Sequence, residues 1–407
     1  MKILMIPTYY GGISWWRFEV PAKYLALAGH QVYCPTLDQL KGHIKDSGGS
    51  FGNWLMQEMP NYDVVHIGYS PTTDIAKAAL IARDTHNVPL ITDIDDNLDK
   101  VPPYNPGWGA FHPGGTGAKI AKIQIANSDG VTFSTDVLAQ ALSYLVTKTP
   151  STVLGNWVDI DSWDYPTPPE RKDDQSIRLM VTGGNGRYGD WSIIKEPLEW
   201  AMAKYDGTGG KPMLRLFFLG ATPDWVEKWM LDKGDPHQNR CFYIHPTMDV
   251  NLFNRMIRYV SPDIIISPVQ KNDFNKSKSG LKFLEASLTG AAFLCTDYDT
   301  YSITPKGTCL RVDNTPTQWK ESLAALIEDP ALRSQLVEKA RDWVLENGQA
   351  GTYIPTRVAF YEEVISARRD KCRQSSQVPG PVTESAPEAD LSKSAVPSRD
   401  LAPQTVT

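Results

Sequence analysis

The 407-residue sequence has few cysteines, few long apolar runs and no surplus of positive charge. Its five cysteines, Cys34, Cys241, Cys295, Cys309 and Cys372, include no pair at metal-ligand or redox-motif spacing. The odd count and scatter speak against a disulfide framework and for thiols in a reducing compartment. No apolar run reaches the roughly 18–20 residues that a membrane span needs. The opening MKILMIP is too short in its apolar part for a signal peptide and reads as a first strand. These two absences predict a cytoplasmic protein with no integral membrane contact. Forty-one Lys and Arg against 47 Asp and Glu give a net charge of −6. That disfavours nucleic-acid or anionic-membrane binding by bulk charge and leaves room only for a local basic groove. No Gly-Lys-Ser/Thr occurs, so there is no Walker loop, and no internal repeat is present.

What is present is an alternation of short apolar runs with helix-period segments. The hydrophobic fraction of 41% supplies a sizeable core. The length favours two domains. The most informative stretch is 264–297. Two buried-strand runs, Ile264–Ser267 and Ala291–Cys295, bracket a polar loop and a short helix. Ser279 reads as its N-cap, Leu281, Leu284 and Leu288 as its apolar stripe, and Gly290 as its stop. Lys278, Lys282 and Glu285 share one face of that segment. Lysines near a helix N-terminus suit a phosphate, and a carboxylate further in suits sugar hydroxyls. A solvated Lys/Glu face that supports the helix has the same pattern.

With Pro268, Phe283-Leu284-Glu285-Ala286 and Gly290 in place, the segment resembles the nucleotide-sugar-binding motif of retaining GT-B glycosyltransferases, a group that includes bacterial and phage enzymes. The resemblance implies that Glu285 binds the nucleotide ribose. Ser277 stands where the family often carries a further glutamate. Asn275-x-Ser277-Lys278-Ser279-x-x-Lys282 is similar to a divergent branch whose lysines face the diphosphate. The start of the chain also resembles these enzymes: Gly11-Gly12-Ile13, then PAKYLALAGHQV. There the first loop faces donor and acceptor, making Gly11, Gly12 and Arg17 candidate donor contacts. Trp15 and Trp16 either stack on a sugar or base or pack on the other domain. Leu154-x-Asn156-x-Val158-Asp159 is similar to the family's exit from the N-terminal domain.

Further candidates follow along the chain. Residues 40–60 read as a mobile connection plus a short helix. Strand YDVVHIG places His66 near the donor sugar if the resemblance holds, or in the core otherwise. Asp93, Asp95 and Asp96 crowd a strand end. Three readings are open, in order of preference: a base or acceptor contact, a solvated turn, or a divalent-metal site. The Pro/Gly/aromatic stretch 100–118 reads as an acceptor lid. Gly183-Gly184-Asn185-Gly186-Arg187 lies between a strand and a helix and reads as a second phosphate cradle. The resemblance implies that the segment at about 244–248 reads the donor base.

The expected architecture is α/β, with two doubly wound Rossmann-like domains facing across a cleft. Residues 1–165 form the acceptor-side domain and 166–352 the donor domain, with a proline-rich linker at 165–176. A helix at 353–371 returns to the first domain, and 372–407 form a disordered tail. The expected reaction moves a sugar from a nucleoside diphosphate sugar to an acceptor hydroxyl. Retention is implied, with His66, Asp95, Asp96, Arg187 and Lys282 as catalytic candidates. Donor contacts would be Gly11, Gly12, Arg17, Gly183, Gly184, Asn185, Gly186, Lys278, Ser279 and Glu285. No bound cofactor is expected; a divalent metal is possible but not expected. The acceptor is either a surface glycan or a hydroxymethylated DNA base of the phage type. A non-catalytic nucleotide-sugar-binding protein and a sugar-nucleotide epimerase of the same fold are the alternatives.

Overall fold

A computed structural model of the chain describes residues 1–163, 176–232, 234–245 and 249–376. The linker at 165–176 falls, but for Ser176, outside the described residues, and so do most of the segment at 244–248 and the tail from 377.

Twelve strands among the described residues form two six-stranded parallel sheets. The first contains β1 (Lys2–Ile6), β2 (Gln31–Tyr33), β3 (Val64–Gly68), β4 (Leu90–Ile94), β5 (Gly130–Phe133) and β6 (Ser151–Val153), ordered β2-β1-β3-β4-β5-β6. The second contains β7 (Ile177–Gly183), β8 (Leu214–Gly220), β9 (Cys241–Ile244), β10 (Ile264–Ser267), β11 (Ala292–Thr296) and β12 (Leu310–Val312), ordered β12-β11-β10-β7-β8-β9. The second order is that of a dinucleotide-binding fold. The strand order reverses beside β1 in one sheet and beside β7 in the other. Loops at such switch points bind ligands in open α/β sheets. The chain is thus two doubly wound Rossmann-like domains, as the sequence predicts.

Alternation along each strand fills both sheet faces. Ile3 and Met5 enter one core cluster, and Leu4 and Ile6 enter another. In β10, Ile264 and Ile266 face one layer and Ile265 the other. This two-sided burial is why the strands read as unbroken apolar runs. It also corrects the expectation for residues 40–60. The Leu4/Ile6 face needs a cover, and two helices supply it: Leu37–Asp46 and Phe51–Glu58, through Leu40, Trp54 and Leu55. The first has a capping box between Thr36 and Gln39, and Ser50 caps the second.

The domains are joined by two adjacent crossings. After β6 the chain runs through Leu154–Asp159 into the second domain. It returns after helix Pro330–Asn347. Val158 N–H donates to Gly348 O (2.9 Å), and Ala350 N–H donates to Val158 O (2.9 Å). Beside them the Trp157 and Tyr353 rings stack 4.1 Å apart. The last helix, Ile354–Ser376, lays Phe360, Tyr361, Val364 and Ile365 over Ile3, Met5, Val64 and Ile91 of the first sheet. Arg368 pins it to Asp84 (3.1 Å) and Asp129 (3.2 Å). The helix continues to Ser376, so the first residues of the expected tail are helical.

Candidate functional site

The two switch points face each other across a cavity of 440 Å³. From the first domain it is lined by Gly12, Ile13, Trp16, Asp95, Asp96 and Asn156. From the second come Gly183, Gly184, Arg187, Phe253, Lys278, Ser279, Lys282 and Glu285. Most candidates drawn from three distant stretches of sequence therefore meet in one cleft.

Helix Leu281–Ser287 follows the Pro268 loop and supplies Lys282 and Glu285. Gly290 (φ 76) makes the left-handed turn into β11. Lys282 Nζ lies 2.7 Å from Glu285, one turn along the same helix. Glu285 is 94% buried in its side chain, so this pair fixes the carboxylate at the cavity wall. Two details differ from expectation. Ser279 does not cap the helix: Gly280 occupies the cap, and Ser279 Oγ accepts from Asn156 Nδ2 across the cleft (2.9 Å). Lys278 precedes the helix and does not share its face with Lys282. It reaches Asp96 of the first domain at 2.9 Å.

The loop after β7 supplies the third cation. Arg187 pairs with Asp190 (2.9 Å), whose other oxygen accepts from Gln270 N–H (2.7 Å) and Asn275 Nδ2 (3.2 Å). Asp190 is buried and ties the β7 loop to the β10 loop. It was missed in the sequence because one aspartate in a Gly-rich loop gives no sign of what it meets. Gly186 backs against Pro106 of the 100–118 stretch. That stretch is not loop throughout: Trp108–Phe111 is a helical turn with Phe111 buried, and Thr116 opens the next helix. The Asn185 side chain lies outside the described residues.

Arg17 and His66 do not line the cavity. After Gly11 (φ 103) the chain enters a π-helical turn, Trp15–Glu19. The wider turn buries three consecutive side chains, Trp16, Arg17 and Phe18. Arg17 is 0% exposed and clasps Asp93 by two bonds, Nε–Oδ2 at 2.9 Å and Nη2–Oδ1 at 2.6 Å. Its Nη1 donates to Leu154 O and to Asn156 Oδ1 (3.0 Å). Arg17 therefore holds the inter-domain exit segment, and its donors are committed away from any phosphate. Lys23, six residues further on, does the same through Asp159 (2.8 Å). Trp16 packs into the second domain's core and edges the cavity, whereas Trp15 Nε1 is buried without a hydrogen-bond partner among the described residues.

His66 is 0% exposed beneath this clasp. Its Nδ1 lies 2.6 Å from Tyr361 Oη of the returning helix, and its Nε2 lies 3.1 Å from Thr132 Oγ1. Burial pushes its pKa down to about 4, so the ring is neutral at physiological pH. Asp93 opposes its own burial through the Arg17 guanidinium and His66, and its carboxyl is held well below the usual range.

The three carboxylates at 93–96 thus part company. Asp93 is structural, and Asp96 pairs with Lys278 across the cleft. Asp95 faces the cavity, and burial with the adjacent Asp96 raises its pKa. Asn97 Oδ1 accepts from Asp99 N–H (3.1 Å) to form the turn after them, and Asn97 Nδ2 donates to Ser277 (3.1 Å). Among the described residues no group of three or more His, Cys, Asp or Glu is placed to hold a metal ion. None of their helices is long and apolar enough to cross a membrane.

Chemically, the cleft offers three cations at the facing switch points, each paired with an acid in this arrangement. An incoming polyanion would exchange with those acids. Exposed glycine amides at 12 and 184 and a buried glutamate complete the lining.

No family model matches the sequence, and no curated protein does. Solved structures match over nearly the whole chain. Sucrose-phosphate synthase from Thermosynechococcus elongatus has a TM-score of 0.62 at 14% identity, covering 90% of this chain and 100% of that one. The catalytic domain of starch synthase IV from Arabidopsis thaliana, bound to ADP and acarbose, has 0.62 at 10%, covering 90% and 99%. HepE of Anabaena in complex with UDP has 0.57 at 13%, covering 93% and 100%. Two parallel Rossmann-like sheets, their facing switch points and this likeness along nine-tenths of the chain give one conclusion: the protein has the GT-B fold of glycosyltransferases.

Proposed function

We propose that the protein is a glycosyltransferase that moves a sugar from a nucleoside diphosphate sugar to an acceptor hydroxyl, with retention. The observation that carries this is the convergence of Arg187, Lys278, Lys282 and Glu285 with the Gly183–Gly184 and Gly12 backbone in the 440 Å³ cleft. Glu285, held at the cavity wall by Lys282, takes the ribose hydroxyls. Arg187 and Lys282 stabilise the charge that develops on the departing diphosphate. In a retaining reaction the leaving phosphate oxygen accepts the acceptor's proton, so no separate base is required. Asp95, with its raised pKa, faces the cavity from the acceptor-side domain and orients the acceptor hydroxyl. Proteins of this fold bind UDP, UDP-glucose or ADP, which supports a nucleotide-sugar donor.

Among acceptors, a glycan is favoured over a hydroxymethylated DNA base, because net charge and cleft lining give no basic track for a duplex. The test is thermal stability with UDP, GDP, ADP and dTDP sugars, with and without Mg²⁺. A donor at 100 times its dissociation constant adds about 2.7 kcal/mol. Nucleotide release with one donor and a glycan acceptor supports the proposal. Binding without turnover on any acceptor would instead favour a non-catalytic nucleotide-sugar binder.

A further inference from the structure

A second cavity, of 260 Å³, lies against the two crossings. It shares only Trp16, Asn156, Lys278 and Ser279 with the cleft, so the two adjoin at those side chains and differ in the rest of their lining. Its far side is made by the stacked Trp157 and Tyr353 and by the first turn of the returning helix, including Thr356 and Arg357.

Arg357 is 4% exposed. Its Nη1 donates to Tyr361 Oη (3.2 Å) and lies 3.5 Å from His66 Nδ1. No ion pair joins it to a carboxylate among the described residues, and its hydrogen bonds there run from Nη1 alone, which leaves Nε and Nη2 accessible at the cavity lining. The surrounding charges do not offset it. Arg17 and Asp93 cancel one another, and His66 is neutral. The lysines on the cavity wall are each paired, Lys278 with Asp96 across the cleft and Lys276 with Asp299 on the same wall. Asp136 is exposed on the lining and pairs with no cation among the described residues. A buried, uncompensated guanidinium is costly unless something pairs with it. Its planar fork is suited to two oxygens of a phosphate or carboxylate.

We infer that this cavity is a binding site for a small oxyanion-bearing ligand, held by Arg357 at the junction of the two crossings. The site is separate from the donor cleft and does not depend on the donor reading.

The test compares the full chain with Arg357→Gln by thermal unfolding at fixed ionic strength. The ligands are inorganic phosphate, acetate and glycerol 3-phosphate. In oxyanion-free buffer the variant is expected to melt at or above the wild type, since it removes an unpaired buried charge. An oxyanion should raise the wild-type melting temperature, with at least tenfold weaker apparent affinity in Arg357→Gln. A stronger response to phosphate or to acetate identifies the headgroup, and one to glycerol 3-phosphate identifies a phosphorylated metabolite. Thr356→Glu, at an exposed position lining the cavity, should remove the response by placing a carboxylate inside. Lys282→Ala should leave it intact, whereas its loss there would put the anion in the donor cleft and overturn the proposal. No response, or an equal response in wild type and Arg357→Gln, also overturns it.

Discussion

Replacing Asp93 by Asn should separate fold from chemistry at the first loop. Asp93 accepts two bonds from Arg17, at 2.6 and 2.9 Å, and one from Thr132 Oγ1 at 2.5 Å, all in the interior. The variant leaves Arg17 charged, fully buried and facing a neutral amide. Breaking one side of a buried pair costs about 3–5 kcal/mol. For a unit of this size that is a fall in melting temperature of about 6–20 °C. Replacing both partners, as Arg17→Met with Asp93→Leu, should recover more than half of the loss, because no orphaned charge remains. Urea unfolding of the wild type, Arg17→Met, Asp93→Leu and the double variant completes the cycle, with an expected coupling of at least about 2 kcal/mol. Additive single effects would refute the clasp. So would an Arg17→Met protein of unchanged stability that has lost donor affinity, since Arg17 would then be a donor contact after all.

Other outcomes follow from the same geometry. His66 has a folded pKa of about 4 against an ordinary value near 6.5, so between these the unfolded state binds more protons. Stability should therefore be full above pH 6.5 and fall by about 3 kcal/mol as pH drops to 4; a flat urea midpoint over that range would contradict it. Glu285→Ala and Lys282→Ala are each expected to lower donor affinity or turnover at least tenfold, about 1.4 kcal/mol, in calorimetry or nucleotide-release assays. Wild-type kinetics in both would remove these residues from the site. Ending the chain after Ser376 should leave the melting temperature unchanged, and a fall of several degrees would show that the tail docks.

Much of the fold was legible because buried parallel strands leave a plain signature. LMI in β1, VVHI in β3 and III in β10 are apolar on both faces, and turn residues bound them. Helix Leu281–Ser287 was legible for the same kind of reason, through its leucine spacing. Of the two helices covering β1, the sequence yields one short helix and a connection in place of the other, although the Thr36/Gln39 capping box could have shown it. Polar roles were harder to read. Arg17 looks like a phosphate ligand beside a Gly-Gly turn, and only the fold shows that Asp93, far along the chain, absorbs it. His66 and Tyr361 likewise meet from opposite ends of the sequence. Spacing reveals which side chains share an element. It does not reveal which charges cancel between elements.

The returning helix has a consequence for how the chain comes off the ribosome. Its apolar face completes a core whose other half is made of Ile3, Met5, Val64 and Ile91, among the first residues synthesised. The second domain is contiguous and can close as soon as it emerges. The first must wait with one sheet face covered only in part, by Phe18, Ala22 and Leu25, until Phe360, Tyr361 and Val364 arrive. Synthesis order and folding order are therefore reversed: the domain made first is the one finished last. A stop between the end of helix Pro330–Asn347 and the start of the final helix would leave a well-formed second domain joined to a first domain with an incompletely covered, aggregation-prone sheet.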